Sequence, residues 1–334
     1  MLRHIKRGLR ATIDTMRSAA GPRPLILIYH RIDTPEIDPW GLSVSPARFA
    51  EQIELLRRTR EILTLQDFVR LHRSRKLPRK AVAITFDDGY ANNFYNAAPI
   101  LRSFDAPATF FIASGYLGRS EFWWDELQRL ILSTSPLPPA FTLSIEGRPT
   151  RFEAASSQEP ISPRWRVWDS PSRPEFKLML DLWDRMRKLP AQSRDHVLQQ
   201  LRGLISAGAS GSTRDHRPMT QDEVANLSRH EMFEIGAHTV SHPALSAQAA
   251  DIQRVEIEQS KAACEHLSGR PVVSFSYPFG DLSKQTIRLL READMTSACA
   301  TKSRAVHPWA NPFVLPRFWM ADWTAAQLAA KIQA

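Results

Sequence analysis

Residues 85–90 read TFDDGY, and the two carboxylates Asp87 and Asp88 stand side by side after an apolar run. Adjacent carboxylates at a strand end can divide labour, one ligating a cation while the other accepts a proton. Gly89 gives the backbone behind them room to turn. An isolated Asp-Asp-Gly is as often a plain turn. Residues 236–242, GAHTVSH, supply His238 and His242, four positions apart. On a single helical turn that spacing puts both imidazoles on one face. Two histidines and one carboxylate form a three-ligand set for zinc or a similar divalent ion, with positions left for water and substrate. Either cluster alone has an ordinary structural reading; both together, each at the end of a strand-like run, favour a metal site. Residues 276–281, SYPFGD, add a turn that can aim a backbone N–H into a pocket as an oxyanion donor.

Elements able to hold these groups alternate along the chain. The runs RPLILIYH, EILTLQ, KAVAITFDDG, PATFFIA, MFEIGAH, PVVSFSYPFG, MTSACAT and FVLPRFW read as strands. Between them lie helical patterns, including SPARFAEQIELLRR with Ser45 as a predicted cap and Pro46 in the first turn. Strands separated by helices imply a parallel sheet or a (β/α) barrel. In such barrels reactive residues come from the carboxyl ends of strands. That rule selects Tyr29 and His30, Asp87 and Asp88, His238, Tyr277 with Pro278 and Phe279, and Arg317. From residue 118 to 218 the alternation stops, and Trp, Pro, Ser and Arg become frequent. This stretch holds helical pieces such as WWDELQRLIL and a short polar hairpin, FTLSIEG with PTRFEA. The expected organisation is a basic segment at 1–22, an α/β barrel from 23–117 and 219–334, and a mainly helical insertion or cap at 118–218.

The net charge of +9 sits partly in the N-terminal MLRHIKRGLRATIDTMR. Its apolar residues follow helical spacing, which suits either an anionic membrane surface or a solvated helix docked on the domain. No stretch resembles a nucleic-acid-binding module, so no nucleic acid partner is expected. No segment has the length of a spanning helix, and the N-terminus lacks the apolar centre of a secretory signal. The cytoplasm is the expected compartment, with its membrane face as the place of action if the basic segment binds lipid. Cys264 and Cys299 show neither metal nor disulfide spacing and are expected to be reduced core residues.

Taken in order, TFDDGY, GAHTVSH and YPFG resemble the polysaccharide deacetylase family, the carbohydrate esterase family 4 or NodB-homology group, over residues 24–117 and 219–320. The resemblance implies a distorted (β/α) barrel and metal-dependent hydrolysis of an N-acetyl, sometimes O-acetyl, group on a sugar. By motif position it implies Asp87 as general base, and Asp88, His238 and His242 as ligands of one divalent ion. It also implies the Phe279 N–H as a donor to the acetyl oxyanion. Zinc is the first expectation for the ion, with cobalt, nickel and manganese open.

Two positions depart from the family pattern. Ser276 stands where many members have an arginine, and VLPRFW lacks the Leu-x-His whose histidine is the general acid. In the branch similar to poly-N-acetylglucosamine deacetylases, a histidine after the first strand does the acid's work. His30 is the candidate for that role, the alternative being a structural histidine at the barrel mouth. Arg317 could replace the missing arginine beside Asp87 or form a structural ion pair. Tyr29, Tyr277, Pro278 and Trp319 are candidates for the substrate lining, and the other tryptophans are expected to pack. The expected partner is an acetylated polysaccharide, oligosaccharide or lipid-linked sugar precursor. A C–N hydrolase of a small non-carbohydrate amide and a non-catalytic glycan-binding protein remain alternatives on the same barrel. The complete Asp-Asp-His-His set speaks against the second, and a two-metal phosphoesterase would need more ligands.

Overall fold

The computed structural model describes residues 21–132, 137–153, 162, 164–171, 173–204 and 216–333. The basic N-terminal segment falls almost wholly outside them. In chain order the first elements are β1 (Leu25–Tyr29), β2 (Arg31–Ile32), β3 (Ser43–Val44), α1 (Pro46–Thr59), β4 (Glu61–Leu63), α2 (Leu65–Arg73), β5 (Ala81–Phe86), α3 (Ala98–Ser103) and β6 (Ala108–Ile112). Then come α4 (Trp123–Ile131), the antiparallel hairpin β7 (Ala140–Ile145) and β8 (Arg148–Glu153), α5 (Pro174–Met186) and α6 (Ala191–Leu204). The last are α7 (Gln221–Ser228), β9 (Phe233–Ala237), α8 (Ala250–Ser268), β10 (Ser274–Ser276), α9 (Lys284–Glu292), β11 (Ser297–Cys299), β12 (Phe318–Trp319) and α10 (Ala325–Gln333).

The main sheet has the order β11, β10, β9, β6, β5, β1, β12, with β4 beside the first half of β5. Its pairings are all parallel. Every residue of β1, β5 and β6 is buried, as parallel strands covered on both faces require. The sheet curls until its two ends meet through residues 315–319. Leu315 bridges to Cys299 of β11, while Phe318 and Trp319 pair with Leu27 and Ile28 of β1.

Alternation along the strands sorts side chains onto two faces. Leu25, Leu27 and Tyr29 join Ile84, Phe86 and Phe110 in the large outer core. Phe86 stacks on Phe110 at 4.9 Å and on Tyr29 at 5.4 Å. Ile26, Ala83, Phe111, Cys299 and Leu315 converge in a smaller inner cluster. Continuing that inner parity toward the strand ends gives His30, Thr85, Asp87, His238, Ser276 and Arg317. A third apolar cluster draws mainly on residues 113–201 and contains Trp123, Trp124, Trp165, Phe176, Met179 and Leu182. The stretch spanning α4 to α6 is called the intervening region below.

Ser45 does precede a helix, but its side chain makes no capping bond; its hydroxyl donates to Asp322 instead. Both cysteines are free and buried. Among the described residues no helix is long and apolar enough to cross a membrane.

Candidate active site

Asp87 extends the register of β5: its N–H donates to the Tyr29 carbonyl at 3.0 Å, so its side chain keeps the inward face. The chain then turns sharply, with φ +74° at Asp88 and +90° at Gly89. A Cβ at Gly89 would also stand 3.1 Å from Ile112, so glycine serves both the conformation and the packing. The turn brings Asp88 inward as well, and both carboxylates are buried.

Asp88 Oδ1 lies 3.4 Å from His238 Nε2 and 3.3 Å from His242 Nε2, and the two Nε2 atoms are 3.1 Å apart. Three donors held about 2.0–2.2 Å from one tetrahedral ion stand roughly 3.3–3.5 Å from each other. The triangle therefore fits a small divalent cation. His238 Nδ1 sits 2.8 Å from the Ser276 carbonyl, which places the proton on Nδ1 and leaves Nε2 as a lone-pair donor. Burial, with His238 as a further cause, lowers the His242 pKa to about 4 against the pull of Asp88, so its ring is neutral as a ligand must be.

The single helical turn expected at 238–242 is not formed. Thr239 and His242 have φ of +66° and +55°, and the segment is a tight non-helical turn. The histidines converge because β9 delivers the first and the turn folds the second back onto it. Each left-handed non-glycine residue costs about 1–2 kcal/mol. The surroundings hold the turn in place: Glu256 of α8 accepts from the N–H groups of Val240 and Ser241, each at 2.8 Å. The N–H groups of Ser114 and Gly115 donate to the Thr239 and Val240 carbonyls. A Cβ at Gly115 would fall 2.7 Å from the Val240 oxygen, so no other residue allows this approach.

Beside the triangle, Arg317 grips Asp87 with a two-pronged fork, both N–O distances being 2.6 Å. The same guanidinium donates to the Ala300 carbonyl, Thr85 Oγ1 and Ser276 Oγ. Ser276 in turn donates to Asp87 Oδ2 at 2.9 Å. The serine at the position of the missing arginine thus leaves room for a guanidinium arriving from the other end of the chain. Arg317 does not follow a strand as expected; it precedes β12, in the segment that closes the sheet. Burial would raise the Asp87 pKa, but Arg317 and His238 outweigh it and keep the carboxyl ionised below its ordinary range.

His30 is buried with its ring 4.7 Å from that of Trp319, which is partly exposed. Burial lowers the proton affinity of His30, while Asp88 and Asp87 act to raise it. Phe279 has φ +59° in the turn after β10, and its ring lies 4.6 Å from His242. The neighbouring Pro278 is buried. The lining expected from Tyr29 and Tyr277 fails. Both point to the outer core, where their hydroxyls donate to Gln52 and to the Phe313 carbonyl. Each is one residue out of phase with the inward positions, and strand alternation sends it to the other face.

Several residues of the site carried no sequence signal. Trp124 stands 4.4 Å from the His242 ring. Trp183 of α5 packs edge-on to Phe279 at 5.4 Å and meets Trp40 at 5.0 Å, giving a partly exposed aromatic wall leading away from His242. Thr85 could have been found by parity with Asp87. A cleft of about 770 Å³ between α4, the hairpin and α6 lies elsewhere. One of the acidic groups lining it, Glu126, is tied to Arg202, and no histidine pair faces them.

Comparison with known proteins agrees with this geometry. The family described as polysaccharide deacetylase matches residues 74–133 and 206–298. The poly-beta-1,6-N-acetyl-D-glucosamine N-deacetylases of Staphylococcus aureus and Staphylococcus epidermidis are 38% and 33% identical to this chain over 81 residues. Over the two segments matched by the family, just under half of its length, the chain is similar to the polysaccharide deacetylase family. Those 81 residues make up 24% of this chain and 28% of the staphylococcal enzymes, so the likeness to them is local. The whole deacetylase fold is shared more widely. IcaB from Ammonifex degensii superposes with a TM-score of 0.58 at 17% identity, covering 94% of this chain and 98% of that one. The Streptococcus pyogenes deacetylase PplD, solved with acetate, superposes with a TM-score of 0.53 at 15% identity, covering 93% and 98%. At such identities the likeness speaks for the curled parallel sheet of the deacetylases.

Proposed function

We propose that the protein is a metal-dependent deacetylase that removes N-acetyl groups from a saccharide. The observation that carries this reading is the convergence of Asp88, His238 and His242 within 4.8 Å of one another, with an arginine-held Asp87 beside them. A divalent ion held there, zinc by the donor set, would polarise the acetyl carbonyl and acidify water. Asp87 accepts the proton of the attacking water, and Arg317 keeps it ionised and oriented for that task. The Phe279 N–H donates to the oxygen of the tetrahedral intermediate. When the C–N bond breaks, His30 protonates the departing amine, so that water and amide become acetate and amine. Trp319 beside His30 and the wall of Phe279, Trp183 and Trp40 offer flat apolar faces for sugar rings. The names of the staphylococcal relatives point to a polymer of N-acetylglucosamine or a shorter fragment as the substrate class.

Acetate release from N-acetylated oligosaccharides tests the reading, with wild type and Asp87→Asn each chelated and then given metal. Activity that returns with metal and is absent in Asp87→Asn is expected. No release from any sugar by a protein that binds one ion would sink it. The basic N-terminal segment supports action at an anionic membrane face on a lipid-linked precursor. Flotation with anionic liposomes should then be lost in a chain starting at Pro22, and equal flotation of both chains would remove that part.

A further inference from the structure

His238 and His242 are oriented in different ways. His238 has the usual arrangement of a ligating imidazole, its second nitrogen bonded to a carbonyl. His242 does not: its buried Nδ1 finds no hydrogen-bond partner among the described residues. Its backbone is left-handed, a state that a non-glycine residue leaves unless its surroundings over-determine it. Elements of the barrel satisfy the N–H groups of Val240 and Ser241 and the carbonyls of Thr239 and Val240. The last two carbonyls of the turn, those of Ser241 and His242, are met from outside the barrel. Arg194 of α6, 1% exposed, donates to both, at 2.9 Å to His242, and also to Ser241 Oγ. The carbon of its guanidinium lies over the Trp123 ring, 5.3 Å from the centroid. The next residue, Trp124, packs on the His242 ring. It is itself pinned, because its Nε1 donates to Tyr90 Oη and Tyr90 donates to Asp125, both at 2.8 Å. Two further bonds dock the same region alongside: Ala244 N–H to the Arg187 carbonyl and Gln248 to the Lys188 carbonyl.

We propose that helices α4 and α6 are part of the metal site, with Trp124 and Arg194 as positioning residues that hold His242 in its ligating pose. This rests on reading Asp88, His238 and His242 as metal ligands. Arg194 stops the turn from relaxing out of its left-handed conformation. Trp124 and Phe279 enclose the ring, so packing replaces the hydrogen bond that His242 lacks.

Competitive titration of the chelated full-length protein with cobalt(II), together with the visible spectrum of the cobalt-loaded form, tests this. Arg194→Met and Trp124→Leu are each expected to weaken cobalt affinity by about 10- to 100-fold, the usual effect of losing an outer partner of a ligand, and to change the spectrum. Arg202→Met, on the same helix but paired with Glu126 of α4, should leave both unchanged even if it lowers the melting temperature. Should Arg194→Met fail to fold, Arg194→Lys reads the same effect, since an ammonium cannot span two carbonyls with a planar fork. Unaltered affinity and spectrum in the Arg194 and Trp124 variants would overturn the proposal while the metal site stood. A wild type that binds no cobalt would overturn both readings.

Discussion

Along the barrel strands, a residue's task follows from its position. Inward parity and the carboxyl end of a strand put His30, Asp87, His238 and Ser276 at one mouth, and Arg317 joins them from the segment that closes the sheet, although the five come from separate segments of the chain. In the intervening region no such rule applies. Arg194 and Trp183 sit on ordinary amphipathic helices, and Trp124 is one aromatic among several in its cluster. Yet both regions reach the same histidine. On the proposed reading the barrel supplies the reacting groups near its strand ends, and the helices supply packing and a backbone clamp. The difference teaches that chemistry needs few residue types at set places, whereas support for it can be built from any side chain of the right reach.

The sharpest way to break that division begins at Asp87. Asp87→Asn should lower kcat by about 10²- to 10⁴-fold, the range of a lost general base. It should also destabilise the fold by about 3–5 kcal/mol, because the buried Arg317 loses its counter-charge. Adding Arg317→Met should restore melting temperature without restoring activity; a double variant as unstable as the single one would show that the pair is not isolated.

Core truncations compare the regions directly. Phe110→Ala, which removes a ring from the barrel stack, should cost about 3–5 kcal/mol in a denaturant titration. Met179→Ala in the core of the helices should cost about 2–4 kcal/mol. Hydrogen exchange would sharpen this: faster exchange in α4 to α6 after Met179→Ala, with β1, β5 and β6 still protected, would mark the helices as the weaker unit. Uniform loss would mean that the two cores unfold together.

A smaller effect is expected at the aromatic wall. Trp183→Ala should raise KM for oligosaccharides about fivefold, the worth of one stacking contact of about 1 kcal/mol. The exposed Trp309, stacked on Arg75, serves as the control that should change nothing.

The smallest effect is a pH response where the regions meet. Burial, aided by Arg31, pushes the His216 pKa down to about 3, and Arg31 donates to its Nδ1 at 3.1 Å. Below pH 6.5 the unfolded chain binds a proton at this residue that the native chain refuses until about pH 3. Stability should therefore decrease as the pH is lowered from about 6.5 toward 3, by no more than about 1.4 kcal/mol per pH unit. His216→Asn should make the slope shallower, and an unchanged slope would assign it to other groups.

Motif spacing pointed to a carboxylate and histidine cluster just beyond two strands, and the family resemblance told Asp87 from Asp88 within it. Strand alternation, also visible in the sequence, would have removed Tyr29 and Tyr277 from the lining had it been carried through to the strand ends. The helical turn expected at 238–242 failed for a different reason. Four-residue spacing suits a helix, but Glu256, Gly115 and Arg194 impose another turn, and none is near it in sequence.

By itself, then, the amino-acid order determined a parallel β/α architecture and the chemical types at its mouth, because both rest on local periodicity and residue identity. Only the tertiary structure decided that Arg317 reaches Asp87 across 230 positions, that Ser276 makes room for it, and that Arg194 and Trp124 attend His242. Such partners are chosen by distance and direction after the sheet has curled. Any arginine or tryptophan brought to that spot could do the same work, so no local pattern marks the ones that do.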